Sequence, residues 1–158
     1  MPICVNYRMV SASDRVGEDL VTANILSLDF PSTGRYRILI LAGNDMLDKA
    51  GTTQRSLQSC ADLVQKFPQG LIELVVVHPL KERFEWTDLP PCVKSVAEMR
   101  FHGLSDKEDA YEVFEISKES GSLAAVRPDG YVGMVGSLSA VDELEAYFRG
   151  CLVTRDRK

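Results

Sequence analysis

The stretch Leu123-Ala124-Ala125-Val126-Arg127-Pro128-Asp129-Gly130-Tyr131-Val132-Gly133 decides the reading of the fold. Apolar runs flank a turn, and each turn residue has a conformational reason to be there. Pro128 presets φ for the first central position, Asp129 suits the second, and Gly130 accepts positive φ. The flanking runs therefore read as paired antiparallel strands. A helix follows. Ser139 is its expected N-cap, and Gly150 is expected to help end it. Val141, Leu144, Tyr147, Phe148 and Cys151 recur at helical spacing and form its expected buried stripe.

Upstream of the hairpin, Pro79, Pro90 and Pro91 interrupt any long element over residues 79–104. Met99-Arg100-Phe101-His102 reads as a short strand. Ser105 or Asp106 is the expected cap of a short helix carrying Ala110, Tyr111 and Phe114. Asp106, Glu108 and Asp109 then read as a solvated acidic helix start. Further back, Arg35-Tyr36-Arg37-Ile38-Leu39-Ile40-Leu41-Ala42-Gly43 carries a continuous apolar run, as expected for a strand buried on both faces. A helix over Thr53 to Phe67 places Leu57, Cys60, Ala61, Val64 and Phe67 on one side. Gln54, Arg55, Gln58, Asp62 and Gln65 are expected to face away. Pro68-Gln69-Gly70 ends it, and Leu71 to His78 is a second buried strand.

Strand, helix and strand with short connections make a βαβ unit, so the two strands should be parallel. The whole order predicts an α/β, thioredoxin-like fold. A central mixed sheet is built from a βαβ half and a C-terminal β-hairpin plus helix, with helices on both faces. Residues 1–158 are expected to form a single domain, with 1–35 an irregular N-terminal arm and 36–150 the core.

The chain has 158 residues, 45% hydrophobic and 26% charged, with a net charge of −5. An acidic balance argues against nucleic acid as a partner, because phosphate contacts need a basic surface. No run approaches the roughly 20 apolar residues of a membrane helix. Met1-Pro2-Ile3-Cys4-Val5-Asn6 lacks the charged and apolar regions of a signal peptide. A cytoplasmic, reduced protein without membrane contact is the expectation. The four cysteines, Cys4, Cys60, Cys92 and Cys151, form neither a C-x-x-C pair nor a zinc-like spacing, and are expected as free thiols.

Ser32-Thr33-Gly34-Arg35-Tyr36-Arg37-Ile38-Leu39 resembles the start of the central strand in one particular group. Val126-Arg127-Pro128-Asp129-Gly130-Tyr131-Val132-Gly133 resembles that group's hallmark near the C-terminus. The group is the C-terminal thioredoxin-like domain of phenol 2-monooxygenase-type flavin hydroxylases, and the resemblance covers about residues 20–150. It implies a redox-inactive thioredoxin fold that serves in subunit contacts and in covering larger domains. The chain departs from the parent enzymes in two ways. A free-standing domain without a preceding flavin domain is the expectation, and no G-x-G-x-x-G offers a dinucleotide site. Ala42-Gly43-Asn44-Asp45-Met46 stands where true thioredoxins carry their cysteine pair. A thiol-disulfide oxidoreductase is therefore not expected, nor is any cofactor.

His78 and His102 lie at strand ends, where α/β sheets commonly bind ligands, and Arg127 flanks the hairpin turn. These three are the candidate catalytic residues. Phe84, Trp86, Phe101 and Tyr111 are the candidate substrate-binding residues, lining a pocket in the irregular segment. Each also has a blander reading: a core or surface histidine, an exposed Arg127–Asp129 ion pair, a small aromatic core under a long loop. Cys60 reads as a core thiol. No H-x-x-x-H or H-x-E pattern supports a metal, and no G-x-S-x-G supports a hydrolase.

Function classes of two kinds fit. The leading expectation is a cofactor-independent cyclase or isomerase acting on an apolar small molecule in secondary-metabolite biosynthesis, for example by a Diels–Alder-type closure. Such chemistry needs a folded substrate and a preorganised donor rather than a nucleophile. The alternative is a non-catalytic dimerisation or accessory module for a flavin-dependent aromatic hydroxylase, with a homodimer among its expected assemblies. An enclosed apolar cavity would favour the enzyme. A filled core with an exposed apolar face would favour the module.

Overall fold

The computed structural model describes residues 33–81, 84–89, 99–103 and 109–152; at Trp86, at 99–103 and at Val113 it describes the backbone alone. The elements are β1 (Tyr36–Leu41), α1 (Thr52–Gln65), β2 (Ile72–His78), a 3-10 turn (Trp86–Asp88), β3 (Met99–Gly103), α2 (Ala110–Val113), β4 (Ser122–Val126), β5 (Val132–Gly136) and α3 (Val141–Cys151). The five strands lie in the order β3-β2-β1-β4-β5. β1 is parallel to β2, and β2 to β3. β4 runs antiparallel to β1, and β5 to β4. This is the mixed sheet that the βαβ half and the hairpin predict.

The continuous apolar runs of β1 and β2 have a direct cause. Side chains alternate across a strand, and here both faces are covered. Ile38, Ile40, Leu74, Val76, Leu123 and Ala125 pack on one face, beneath α1 and α3. Leu39, Leu41, Val75, Val77, Ala124 and Val126 pack on the other, against Ala110 and Tyr111 of α2. Leu57, Cys60, Ala61 and Leu63 bury one side of α1; Leu144 and Phe148 do so for α3. The Phe148 ring meets those of Tyr36, Phe67 and Tyr147 edge-on, with centroids 5.5–6.0 Å apart. No described helix is long and apolar enough to cross a membrane.

The hairpin forms as its residues dictate. The Gly130 amide donates to the Arg127 carbonyl at 2.9 Å and closes the turn. Gly130 takes φ +86°. The β4–β5 register then slips: Val126 faces Val132, but Ala125 faces Met134. Gly133 is the extra residue, and a Cβ there would lie 1.9 Å from the Tyr147 hydroxyl oxygen. The Tyr147 ring of α3 rests on the bulge, so any larger residue there has to displace it.

Several local expectations are corrected. Ser139 is not the cap of α3; Ala140 is, without a side-chain bond, and the helix runs through Gly150 to Cys151. The Ser139 hydroxyl instead meets that of Ser137 at 3.3 Å. Asp142 and Glu143 in the first turn and Arg149 in the last suit the helix dipole, which lessens the need for a cap. Cys151 is exposed, so the buried stripe is narrower than expected. Gln54 is buried rather than outward, because its amide reaches the Asp88 carbonyl at 3.4 Å. Asp109 caps α2 by accepting from the Tyr111 amide at 2.9 Å. Asp109 is not merely solvated, since Lys118 pairs with it. Ser105, Asp106 and Glu108 lie outside the described residues.

Candidate functional site

The carboxyl ends of β1 and β2 are the first place to look for a ligand site in such a sheet. His78 ends β2 in the same row as Ile72, Leu74 and Val76, which places it on the α1/α3 face. It is fully buried, with the Phe84 ring edge-on at 5.1 Å. Neither ring nitrogen has a hydrogen-bond partner of good geometry. Burial pushes its pKa down to about 4, with the backbone at Leu80 opposing part of the effect. The imidazole is therefore neutral at physiological pH, and among the described residues it packs on an apolar ring rather than on a carboxylate. His102 lies on the neighbouring strand, its backbone paired with Val77.

The other candidates do not converge on this point. The β1–β2 and β1–β4 registers put Arg127 next to the opposite end of the sheet, beside Arg37, whereas His78 follows Val77. That is roughly 20 Å along the strands. Arg127 is exposed and pairs with Asp129 at 2.5 Å. Tyr111 is buried on the opposite face from His78. Its hydroxyl is shared between the Ala42 carbonyl at 2.6 Å and the Val77 carbonyl at 3.0 Å. Burial, reinforced by Asp109, pushes the phenol pKa up. Tyr111 ties the ends of β1 and β2 together. Trp86 sits in the 3-10 turn and Phe101 in β3, opposite Val76.

The loop after β1 is organised around Asp45, a residue with no local signal in the sequence. Gly51 is the N-cap of α1 and has no side chain to cap with. Asp45 supplies the carboxylate from upstream. It accepts from the Thr53 hydroxyl at 2.5 Å and the Thr52 amide at 2.6 Å. The Thr53 hydroxyl in turn accepts from the Gly43 amide at 2.9 Å. Cβ atoms on Gly43 and Gly51 would come within 2.7 Å and 2.6 Å of Asp45 atoms, so glycines let this loop close. Burial alone would raise the Asp45 pKa, but the Thr53 hydroxyl and the Thr53 and Thr52 amides outweigh it and lower it. The position where thioredoxins present a thiolate to a helix N-terminus is thus filled by an internal carboxylate. Asp45→Ala is expected to cost about 1–2 kcal/mol, as for other lost N-caps. A denaturant titration checks this; an unchanged midpoint would contradict the capping role.

The described thiols are placed far from such chemistry. Cys60 is buried in mid-α1, and burial pushes its pKa up to about 12, the Ser56 hydroxyl opposing. A thiol so placed is a core side chain. A cleft of about 600 Å³ opens between α1 and α3. Its walls include Thr52, Arg55, Ser59, Asp62 and Asp142, and the Lys66–Glu145 ion pair at 2.6 Å lies along it. It is open, with a mixed polar and apolar lining, and no catalytic or substrate-binding candidate lines it. The most exposed large apolar side chains lie elsewhere. Tyr131, Val132 and Val135 are 71%, 38% and 62% exposed, on and beside the edge strand β5.

Comparison with known proteins gives a consistent picture. A family model described as "Phenol hydroxylase, C-terminal dimerisation domain" matches residues 21–156. A phenol 2-monooxygenase of Aspergillus fumigatus is 28% identical over 158 aligned residues, covering 92% of this chain and 26% of that protein. A flavin-dependent oxygenase of Aspergillus ustus is 24% identical over 122 aligned residues, covering 69% of this chain and 18% of that protein. The chain thus spans about a quarter or less of the length of these relatives. Among solved structures, a thiol:disulfide interchange protein from Bacteroides sp. superimposes with a TM-score of 0.56 at 13% identity, covering 80% of this chain and 78% of that one. The thioredoxin domain of a Bacteroides vulgatus thiol-disulfide oxidoreductase gives 0.54 at 12% identity, covering 77% and 82%. These establish the thioredoxin-like fold.

Proposed function

Because this chain belongs to the phenol hydroxylase C-terminal dimerisation domain family, we propose that it is a non-catalytic assembly module of a flavin-dependent aromatic oxygenase, bringing two copies together. The observation that carries this reading is the exposed apolar edge strand, Tyr131 to Val135, on a sheet whose inner strands are fully packed. Exposed apolar surface of this kind marks an interaction site. The names of the fungal relatives support a setting in oxygenase chemistry.

A cofactor-independent cyclase finds less support. Such an enzyme needs its donors around one apolar cavity. The described histidine His78 and Arg127 lie toward opposite ends of the sheet, Tyr111 commits its hydroxyl to two carbonyls, and the cleft between α1 and α3 is open and lined by none of these residues.

Sedimentation equilibrium tests the assembly reading. At micromolar concentration the 158-residue chain is expected at twice its monomer mass. A strictly monomeric chain at every concentration would overturn the reading.

A further inference from the structure

We propose that β5 is the seam of the dimer: β5 of one copy pairs antiparallel with β5 of a second, joining the two sheets across a two-fold axis. The inference rests on the assembly reading above and names its surface.

β5 is the outer strand next to β4. Among the described residues no strand lies beyond its outward amides and carbonyls, and such an edge templates pairing with another chain. Natural proteins guard an edge with Lys, Pro, inward-pointing charge or a bulge. Tyr131-Val132-Gly133-Met134-Val135-Gly136 contains no Lys, no Pro and no charge. The bulge at Gly133 lies near the turn, and beyond it Met134, Val135 and Gly136 pair regularly with Ala125, Ala124 and Leu123. The outer half of the strand is therefore regular enough to continue the sheet. Of the large apolar side chains exposed among the described residues, Tyr131, Val132 and Val135 belong to this one run and Leu47 alone lies elsewhere.

The occupant follows from symmetry and charge. An antiparallel strand pair has a two-fold axis, so one sequence serves both sides of an isologous contact. The charges nearest the seam in sequence, Arg127 and Asp129, neutralise each other, so two identical copies meet without net repulsion there. Nothing in this run calls for a partner of opposite charge. A strand of this length covers less than the roughly 800 Å² per side of a standard interface, so flanking side chains must contribute. Tyr131 is the best placed, and tyrosine is a residue type enriched in interface hot spots.

The test uses the full chain. Val135→Lys is expected to weaken the dimer by about 100-fold or more, and Tyr131→Ala by about 10-fold or more, both keeping the wild-type far-UV circular dichroism. Hydrogen exchange on the wild type should show amides of residues 131–136 slowing more than those of α1 as concentration rises. This measurement stands even if Val135→Lys fails to fold. A wild-type dimer whose β5 amides exchange alike at all concentrations, or whose Val135→Lys form dimerises as tightly, would place the seam elsewhere and leave the assembly reading intact. A wild-type monomer would remove both.

Discussion

Arg37→Ala lowers the unfolding free energy by about 3–5 kcal/mol, the cost of leaving a buried charge without its partner. The Arg37 Nε atom meets the Glu73 Oε1 atom at 2.6 Å, with the two side chains 10% and 1% exposed. The pair spans β1 and β2 because their parallel register sets Arg37 opposite Glu73. It shares its face with the Leu39 and Val75 rows, so water cannot take over for a missing partner. The Thr33 hydroxyl, at 3.4 Å from the same Glu73 oxygen, is too weak a substitute. The other carboxylate oxygen, Oε2, is buried without a hydrogen bond. Glu73 therefore depends on the guanidinium. The cost is large against a typical total stability of about 5–15 kcal/mol. Replacing both residues together should behave differently. An Arg37→Met, Glu73→Leu double variant removes charge and partner at once, and is expected within about 1–2 kcal/mol of wild type. Urea titrations at one fixed protein concentration check both, since dimerisation couples stability to concentration. A single variant as stable as wild type would mean that the pair is effectively solvated.

The hairpin was legible because its causes are local. Pro128, Asp129 and Gly130 each favour one backbone region, and the turn obeys them. The βαβ half was legible because burial on both faces leaves a continuous apolar run, as in Ile38 to Leu41. What escaped depends on tertiary partners. Ser139 has the right chemistry for a cap, yet its hydroxyl meets Ser137 while the helix begins after Ala140. Gln54 looks like a surface residue until the Asp88 carbonyl is brought over it. Asp45 caps a helix that starts seven residues later, beyond any capping-box spacing. The Arg37–Glu73 pair exists only once a register is chosen. Of the candidate site, the histidine at the end of β2 was placed correctly by strand position alone. Its separation from Arg127 was not visible, because only strand order shows that the hairpin turns at the other end of the sheet. Nor can alternation in Tyr131 to Val135 say that this strand, rather than another, ends at an edge.

His78 makes the second large prediction, and its sign follows from its burial. Its pKa falls from 6.5 to about 4 in the folded chain because burial disfavours the imidazolium. A base whose folded pKa is depressed binds its proton more readily when unfolded. Stability is then complete above pH 6.5 and drains away as pH falls toward 4. The linkage amounts to about 2 kcal/mol between pH 7.5 and 5, and about 3 kcal/mol once pH is below the folded value. Most of the loss down to pH 5 comes above the range in which carboxylates titrate, which separates it from acid effects at groups such as Asp45. The Phe84 ring against His78 offers the protonated form no acceptor, and the backbone at Leu80 offsets only part of the cost. Urea midpoints at pH 7.5, 6 and 5 should therefore fall steeply in the wild type and nearly level out in His78→Leu. His102→Gln serves as the control for the other histidine and should keep the wild-type slope. An imidazole proton resonance titrating near pH 4 in the folded chain would report the same shift directly. A His78→Leu chain that still loses about 2 kcal/mol over this range would assign the pH dependence to another group. It would leave the neutral, buried His78 without thermodynamic consequence.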